Sequence, residues 1–316
     1  MDMPASPQSP FAIEDARPLD LAKFHDPQLT ANGEKRAWVG IDRLDTLWIN
    51  TGTLCNLACP SCYILSSPTN DALVYLSLAE AEAYFDEAAS LGTRVIGFTG
   101  GEPFMNRDIV AMMRSALARG FELLVLTNAM RPMRRFDKAL EAIALEHPGR
   151  VVMRVSLDHH RPGLHDAERG KGSFARAVDG LVWLAGAGFR VAVAGRRAGD
   201  EAQARTDYAA LFDRLGIAVD HLVLFPSMDA AADVPEITEA CWDILHVEPA
   251  AMMCASSRMV VKAKGAARPH VVACTLLPYD PRFALGDTLE GALRPVPLNH
   301  PHCARFCVLG GASCSG

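Results

Sequence analysis

The sequence predicts an α/β fold, an open, partial (β/α)6 barrel followed by a small cysteine-rich C-terminal domain. Two observations predict it. Short runs rich in β-branched residues alternate with helix-length segments through most of the chain, and this helical periodicity fades after about residue 250. Such alternation is typical of a parallel sheet with right-handed crossovers. Six strands are too few for a closed eight-stranded barrel, so we expect an open one.

The individual elements follow from periodicity and from their end signals. Short buried strands are predicted at residues 46–51, 94–99, 122–127, 150–157, 190–194 and 221–225. Helices are predicted at residues 77–91, 107–119, 136–146, 173–187 and 202–215. Ser77 and Glu80 have the spacing of a capping box at the start of the first helix. Gly120, Gly188 and Gly216 follow three helix ends, where a left-handed residue is favoured.

The predicted organisation has three parts. Residues 1–44 are rich in Pro, Asp and Ala, show no sustained period and are expected to form an N-terminal arm over the domain. Residues 45–249 form the partial barrel, and within them residues 226–247 read as a connector plus one helix. Residues 250–316 form the C-terminal domain, in which Gly, Pro and Cys become frequent.

Composition excludes several classes of protein. The 316 residues are 50% hydrophobic and 22% charged, which is typical of a globular protein. The net charge of −6 gives no reason to expect nucleic-acid binding. The N-terminus lacks the apolar core of a secretory signal, and the longest apolar stretch, residues 181–189, is too short to span a bilayer. We therefore expect a cytoplasmic protein, with neither a nucleic-acid nor a membrane partner.

Three cysteines lie within eight residues directly after the first predicted strand. Cys55, Cys59 and Cys62 occur in the string CNLACPSCY with the spacing C-x3-C-x2-C. Zinc would require a fourth ligand, and none lies nearby in the sequence. Three thiolates suit a four-iron, four-sulfur (4Fe-4S) cluster with one iron left open to bind a small molecule. A structural metal knuckle is the alternative.

This string resembles the cluster motif of the radical S-adenosylmethionine (radical SAM) enzymes, and Tyr63 matches the aromatic residue that commonly follows the third cysteine. The resemblance covers about residues 46–225. It implies that SAM chelates the open iron through its amino and carboxylate groups. One electron from the cluster then cleaves SAM to a 5′-deoxyadenosyl radical, which abstracts a substrate hydrogen. The implied partners are a substrate and an electron donor such as flavodoxin or ferredoxin.

The end of the second predicted strand carries a further match. Gly100, Gly101, Glu102 and Pro103 resemble the GGEP motif, which in the family contacts the SAM amino group. Glycines allow backbone carbonyls to approach an ammonium group closely. Taken alone, the motif could equally be a turn that ends a strand.

Later strand ends extend the resemblance. Ser156 resembles the family residue that hydrogen-bonds SAM, and Arg169, in the segment ERGKGSF, resembles the arginine that pairs with the SAM carboxylate. A satisfied strand-end hydroxyl and a surface arginine are the alternatives. For Asp158 the sequence does not decide between a substrate contact and a helix cap. His159 and His160 are weaker candidates to face the pocket.

The last quarter contains a second cysteine set, namely Cys254, Cys274, Cys303, Cys307 and Cys314. Its order, with a hairpin at residues 260–262 and 271–273, resembles the auxiliary-cluster domains called SPASM and twitch. The late pair departs from the SPASM pattern because it is C-x3-C rather than C-x2-C. We therefore expect one auxiliary cluster, a 4Fe-4S cluster, with the first four cysteines as ligands.

Two cysteines are not assigned as ligands, and two other interpretations of the C-terminal cysteines remain open. Cys314 is either a substitute ligand or a spare thiol, whereas Cys241, in a helix-like segment, is expected to be a core residue. Structural zinc and scattered core thiols compete with the auxiliary cluster.

The expected function is that of a radical SAM enzyme that oxidises or otherwise modifies a small molecule or a peptide. The alternative is a non-catalytic iron–sulfur or zinc protein with a redox or assembly role. Residues 100–103 and Arg169 favour the enzyme, because a metal carrier needs no SAM pocket.

Overall fold

A nine-stranded sheet with a parallel centre organises the chain. The computed structural model describes residues 9–12, 16–226 and 232–311. The strands are β1 (Trp38–Val39), β2 (Thr46–Asn50), β3 (Val95–Thr99), β4 (Glu122–Thr127), β5 (Val151–Ser156), β6 (Arg190–Arg196), β7 (His221–Phe225), β8 (Ser257–Val261), β9 (His270–Val272), β10 (Ala284–Gly286) and β11 (Val296–Pro297). The order in the sheet is β10-β9-β8-β2-β3-β4-β5-β6-β7, and strands β8 and β2 to β7 run parallel. The predicted α/β class is therefore confirmed.

The parallel register brings several strand ends to one edge of the sheet. Asn50 lies opposite Thr99, and Ser156 lies opposite Ala194. Because each of these residues ends or nearly ends its strand, the loops that follow β2, β3, β5 and β6 emerge side by side. Chemistry in parallel barrels is built at this edge.

Helices connect the parallel strands. They are α1 (Leu78–Ser90), α2 (Ile109–Ala118), α3 (Arg131–Arg134), α4 (Asp137–Glu146), α5 (Pro162–Arg169), α6 (Ser173–Gly186), α7 (Glu201–Leu215) and α8 (Cys241–Leu245), with a π-helix at Cys303–Val308. The capping box forms as predicted, since Ser77 accepts from the backbone of Glu80 and Glu80 accepts from that of Ser77. Gly120, Gly188 and Gly216 have the expected positive φ angles.

Helix α5 has no counterpart among the predicted elements. It spans eight residues, begins with a proline, and ends at Arg169. Gly170, at φ 92°, separates it from α6. Arg169 therefore sits at the end of a helix, where a guanidinium is well placed beside the helix's negative end.

The C-terminal hairpin extends the barrel sheet. β8 and β9 pair antiparallel close to the predicted positions, and β8 also pairs parallel with β2, with Thr46 opposite Ser257. All five residues of β8 are buried. The segment after residue 250 is thus joined to the barrel by backbone hydrogen bonds. The boundary near residue 250 stays a prediction.

The N-terminal arm is anchored at two places. β1 pairs antiparallel with β11, and the buried Arg36 forms an ion pair with Glu236 at 2.5 Å between Nη2 and Oε1. Arg36 also donates to the backbone carbonyls of Asp26, Leu29 and Leu298. The arm therefore contacts the chain on either side of residue 250. In the described part of the chain, no helix is long and apolar enough to cross a membrane.

Candidate functional site

An open cavity lies at the carboxyl edge of the parallel strands. Its lining comes from the loop after β2, from the ends of β3 to β6, and from the C-terminal region. The sequence-predicted residues that line it are Cys55, Cys59, Cys62, Tyr63, Gly100, Gly101, Ser156 and Arg169. Residues separated by more than a hundred positions in the sequence thus meet around one space.

The three cysteines line this cavity from one irregular loop that follows β2, residues 51–62, called the cluster loop below. All three are free thiols, and backbone N–H groups of Leu57 and Ser66 donate to the sulfurs of Cys55 and Cys62 at 3.4 and 3.3 Å. Burial raises the pKa of Cys55 to about 12 and that of Cys59 to about 11. Because these thiols are protonated at neutral pH, iron binding would be coupled to proton release. The N–H donors would then stabilise the thiolate form.

The number and placement of the thiols suit an iron–sulfur cluster. Cys55, Cys59 and Cys62 lie on one loop and all line the same cavity. In a 4Fe-4S cluster with three thiolate ligands, each thiolate binds a different iron and the fourth iron stays open. The donor set therefore fits such a cluster.

Two glycines at the end of β3 allow the cluster loop to pass close by. Gly100 has a φ of 137°, and a Cβ there would lie 2.5 Å from the carbonyl oxygen of Gly52. A Cβ on Gly101 would lie 2.3 Å from the carbonyl oxygen of Leu54. The N–H of Gly101 donates to Gly52 at 2.8 Å. Any side chain here would push the cluster loop out of place.

Glu102 and Pro103 do not line the cavity, although their motif suggested contact with SAM. Both are buried behind it. The Glu102 carboxylate accepts hydrogen bonds from Thr127 Oγ1 and the Asn128 N–H, both at 2.8 Å, and from the Phe104 N–H. Glu102 therefore ties the end of β4 to the loop after β3, and supports the cavity wall from outside.

The buried Glu102 predicts a pH dependence of stability. Burial raises its pKa from 4.5 to about 7, against the opposing hydrogen bonds from Asn128 and Thr127. Between these two values the native protein holds a proton that the unfolded chain releases, so stability falls as pH rises through this window. We expect Glu102→Gln to remove that fall, ~3 kcal/mol by linkage. Urea unfolding of both apoproteins at pH 5 and pH 7.5 measures it, and equal pH slopes would contradict it.

An ion-pair cluster occupies the wall formed by β5 and β6. Arg169 Nε and Nη2 lie 2.5 and 3.2 Å from the two carboxylate oxygens of Asp158, and Arg196 Nε lies 3.5 Å from Asp158 Oδ1. Burial opposes ionisation of Asp158, but the two arginines hold its pKa below the usual range. Asp158 lines the cavity while paired with both arginines, and it does not cap α5, whose N-cap is Arg161. It orients Arg169 towards the cavity, close enough to Cys59 for their charges to interact.

Replacing Arg169 by alanine is expected to weaken SAM binding. The variant lacks the guanidinium suited to the SAM carboxylate, so SAM affinity should fall while the iron content stays unchanged. The ~3–5 kcal/mol cost of leaving the buried Asp158 without its partner should appear separately, in the free energy of unfolding. Equilibrium binding of SAM to the anaerobically reconstituted protein measures it. Arg176→Ala, at an exposed arginine of α6, is the matched control. Asp158→Asn should keep most of the affinity, since it leaves the guanidinium in place. Unchanged affinity in Arg169→Ala would show that Arg169 only pairs with Asp158.

A second, smaller cavity collects the C-terminal cysteines. Cys254, Cys274, Cys303 and Cys307 all line it. Cys254 lies in a 3-10 turn before β8 and Cys274 follows β9. Cys303 and Cys307 lie one turn apart on the π-helix, whose wide turn brings residues four apart onto one face. The rest of the lining is apolar except for His302.

The electrostatics of the second cavity match those of the first. Burial raises the pKa of Cys254 to about 11 and that of Cys303 well above its ordinary value, and the neighbouring thiols add to the effect at Cys303. Cys254, Cys274 and Cys303 lie close enough together for the first two thiols to act on the charge of the third. A donor set of four thiols in an apolar pocket suits an iron–sulfur cluster.

The remaining candidates lie apart from both cavities. Cys241 is half-buried, contacts Thr238 through its sulfur at 3.3 Å, and lines neither cavity. His159 and His160 stack on each other, with ring centroids 4.1 Å apart, outside the cavity lining. Cys314 lies outside the described residues.

A thin wall separates the two cavities. Leu276 lines both, and Thr275 and Phe306 line the first while their neighbours Cys274 and Cys307 line the second. Phe306 also packs against Phe225 at the end of β7, with ring centroids 5.1 Å apart. The π-helix thus presents cysteines to one cavity and an aromatic ring to the other.

Sequence reasoning missed Glu168. Its carboxylate accepts from the N–H and the hydroxyl of Ser61, at 3.0 and 2.6 Å, and from the hydroxyl of Ser9 at 2.6 Å. Ser61 lies between Cys59 and Cys62, so Glu168 fixes the cluster loop to α5. Its position beside Arg169 was the only signal, because nothing in sequence spacing links it to Ser61. Arg154, which lines the first cavity from β5, was missed for the same reason.

Comparison with known proteins agrees with this geometry. Residues 49–199 match the family model described as the Radical SAM superfamily. Residues 49–199, just under half of the chain, thus match a radical SAM domain. Proteins of this family use a 4Fe-4S cluster together with SAM, and the matched residues contain the cysteine loop, the two glycines, Ser156 and Arg169.

Curated relatives of the radical SAM domain act on different substrates. The chain is 35% identical over 165 residues to an Fe-coproporphyrin III synthase of Methanosarcina barkeri, covering 51% of this chain and 38% of that protein. It is 31% identical over 215 residues to the mycofactocin maturase MftC of Mycobacterium ulcerans, covering 66% of this chain and 53% of that protein. The chain thus spans about half the length, or less, of these relatives.

The fold similarity extends beyond the radical SAM domain. The crystal structure of Streptococcus suis SuiB bound to S-adenosylmethionine superposes with a TM-score of 0.59 at 10% identity, covering 77% of this chain and 63% of SuiB. At this identity the likeness concerns the fold alone.

Proposed function

We propose that this protein is a radical SAM enzyme that cleaves SAM reductively and abstracts a hydrogen atom from its substrate. One observation carries the proposal. The three cysteines of the loop after β2 share a single cavity with the residues suited to hold SAM, namely Gly100, Gly101, Ser156 and Arg169. A metal carrier without catalytic activity would have no use for that second set.

Different groups of the cavity would bind different parts of SAM. A 4Fe-4S cluster held by Cys55, Cys59 and Cys62 supplies, when bound, the electron that cleaves SAM. The backbone at Gly100 and Gly101 is open enough for its carbonyls to accept from the SAM ammonium group. Arg169 offers a planar guanidinium to the SAM carboxylate, and Asp158 keeps that guanidinium oriented. The hydroxyl of Ser156 offers a further hydrogen bond.

We propose that the second cavity holds one auxiliary 4Fe-4S cluster on Cys254, Cys274, Cys303 and Cys307. The four thiols converge in a pocket that is otherwise nearly apolar, and one layer of side chains, including Leu276 and Phe306, stands between it and the first cavity. A cluster in this position is shielded from direct ligation by a substrate, but close enough to exchange an electron with one. We therefore propose that it accepts an electron from the substrate radical, so that the net reaction is an oxidation.

The proposed substrate is a peptide or a small molecule. Relatives include a peptide-directed cyclase and maturases as well as haem-pathway synthases, so the radical SAM domain itself does not select between them. We propose flavodoxin or ferredoxin as the electron donor. The described cysteines are all free, which fits a reducing, cytoplasmic location.

Release of 5′-deoxyadenosine tests the proposal. The anaerobically reconstituted and reduced protein is incubated with SAM, and 5′-deoxyadenosine is quantified by liquid chromatography and mass spectrometry. We expect product that depends on both the reductant and SAM. A protein that binds its full complement of iron and SAM, yet forms no 5′-deoxyadenosine, would favour a non-catalytic role. Candidate substrates carrying deuterium can then be screened for label transfer into the product.

A further inference from the structure

Arg258 is a fully buried cation beside the second cavity. Its side chain has no exposed surface, and it lies on β8, four residues after Cys254. The auxiliary cluster proposed above would therefore bind within the same small region of the fold. No step described so far uses this arginine.

The hydrogen bonds of Arg258 all end on neutral acceptors. Nε donates to the carbonyl of Ala292 at 2.9 Å, and Nη2 donates to that of Arg294 at 2.9 Å. Nη1 donates to the carbonyls of Cys254 and Ser257 at 2.6 and 2.7 Å. These bonds satisfy the donors and fix the guanidinium, but carbonyl dipoles do not neutralise a full charge.

The other fully buried arginine provides a contrast. Arg36 has a carboxylate partner, Glu236, at 2.5 Å. Among the described residues, no carboxylate lies within ion-pair distance of Arg258. The guanidinium lies directly against the segment that carries Cys254, since Nη1 donates to the carbonyl of that residue. A buried cation without a counter-charge is costly.

We infer that Arg258 is a positioning residue that supplies the counter-charge for an iron–sulfur cluster on Cys254, Cys274, Cys303 and Cys307. This inference rests on the auxiliary cluster of the proposed function. Four thiolates outweigh the positive charge of a 4Fe-4S core, so the loaded site is anionic and provides the partner that Arg258 lacks. The buried guanidinium and the buried thiolates thus stabilise each other.

The charge has a consequence for electron transfer. When the cluster accepts one electron, its negative charge increases, and a nearby fixed cation stabilises the reduced form more than the oxidised form. Arg258 therefore raises the midpoint potential of the auxiliary cluster. A raised potential favours the step in which the substrate radical loses one electron and the cluster gains it.

Redox titration of the auxiliary cluster alone tests the inference. The full chain carrying alanine at Cys55, Cys59 and Cys62 serves as the parent, so that only the auxiliary cluster contributes to the signal. Arg258→Gln removes the charge and keeps one donor, whereas Arg258→Lys keeps the charge and loses the planar fork. Arg268→Gln is the matched control, because Arg268 is an exposed arginine between β8 and β9. Midpoint potentials are read from the electron paramagnetic resonance signal of the reduced cluster.

The outcomes separate charge from structure. We expect Arg258→Gln to shift the midpoint potential to more negative values, Arg258→Lys to shift it less, and Arg268→Gln to leave it near that of the parent. Loading of iron in Arg258→Lys but not in Arg258→Gln would also support a need for the charge. Equal shifts in Gln and Lys variants, no shift, or failure of both to load iron would overturn the inference and leave a purely structural arginine. A parent that holds no iron would instead overturn the auxiliary cluster itself.

Discussion

Replacing Cys55, Cys59 and Cys62 together by alanine is expected to abolish SAM cleavage while leaving about half of the iron in place. The reason is that all three thiols line the cavity at the strand ends, whereas the four C-terminal thiols line a separate one. Iron analysis should fall from about eight to about four per chain. Release of 5′-deoxyadenosine should fall to the level of a control without protein.

A matched control shows that the loss is specific to the cluster loop. Cys241→Ala removes a half-buried thiol that lines neither cavity, and it should keep both the iron and the SAM cleavage. SAM cleavage that survives in the triple variant would refute the assignment of the three cysteines. Loss of all iron in that variant would overturn the auxiliary cluster on the C-terminal thiols.

Replacing Cys254 and Cys303 by alanine is expected to remove the auxiliary cluster alone. These thiols are buried and face each other across the second cavity, so a cluster there would lose two of its four ligands. We expect about four irons per chain and a retained ability to form 5′-deoxyadenosine. Product formation with the true substrate should fail, because the electron acceptor is missing.

Metal analysis of the unaltered protein is the measurement that could contradict the auxiliary cluster. An iron content near four per chain, accompanied by stoichiometric zinc, would overturn the auxiliary iron–sulfur cluster and leave the radical SAM site standing. Metal analysis of Cys241→Ala serves as the control. Iron retained in this variant would show that the iron content depends on the ligand cysteines and not on the number of thiols.

Local chemistry made much of the barrel predictable from sequence. β4 and β7 have the bounds predicted for them, and α1 begins directly after its N-cap Ser77, with Glu80 completing the capping box in its first turn. Such elements are set by residues that are neighbours in the sequence: a run of β-branched side chains, a serine three positions before a glutamate, or a glycine with positive φ. The cysteine loop was predictable for the same reason, since its three thiols lie within eight residues.

Contacts between distant segments were not predictable in this way. The pairing of β8 with β2 depends on backbone hydrogen bonds, which leave no trace in residue type. The ion pair of Arg169 with Asp158 and the bonds from Ser61 to Glu168 depend on how α5 folds back, and α5 is short and polar. The position of Glu102 also depends on distant contacts. Its motif suggested contact with SAM, whereas its hydrogen bond with Thr127 holds it behind the cavity wall.

The parallel pairing of β8 with β2 also constrains the order in which the molecule can be made. Strand β2 leaves the ribosome early, but its neighbour on one side is encoded about two hundred residues later. Until then β2 presents an unpaired edge, which is a template for association with other chains. Pairing over so long a separation is slow, because the intervening chain loses conformational entropy before the strand contacts can stabilise the pair. The cluster loop that follows β2 therefore gains its final support only late in synthesis. A chain truncated before Ser257 would keep the whole radical SAM motif and yet expose the strand that carries it, so that aggregation rather than a stable, smaller enzyme is the expected product.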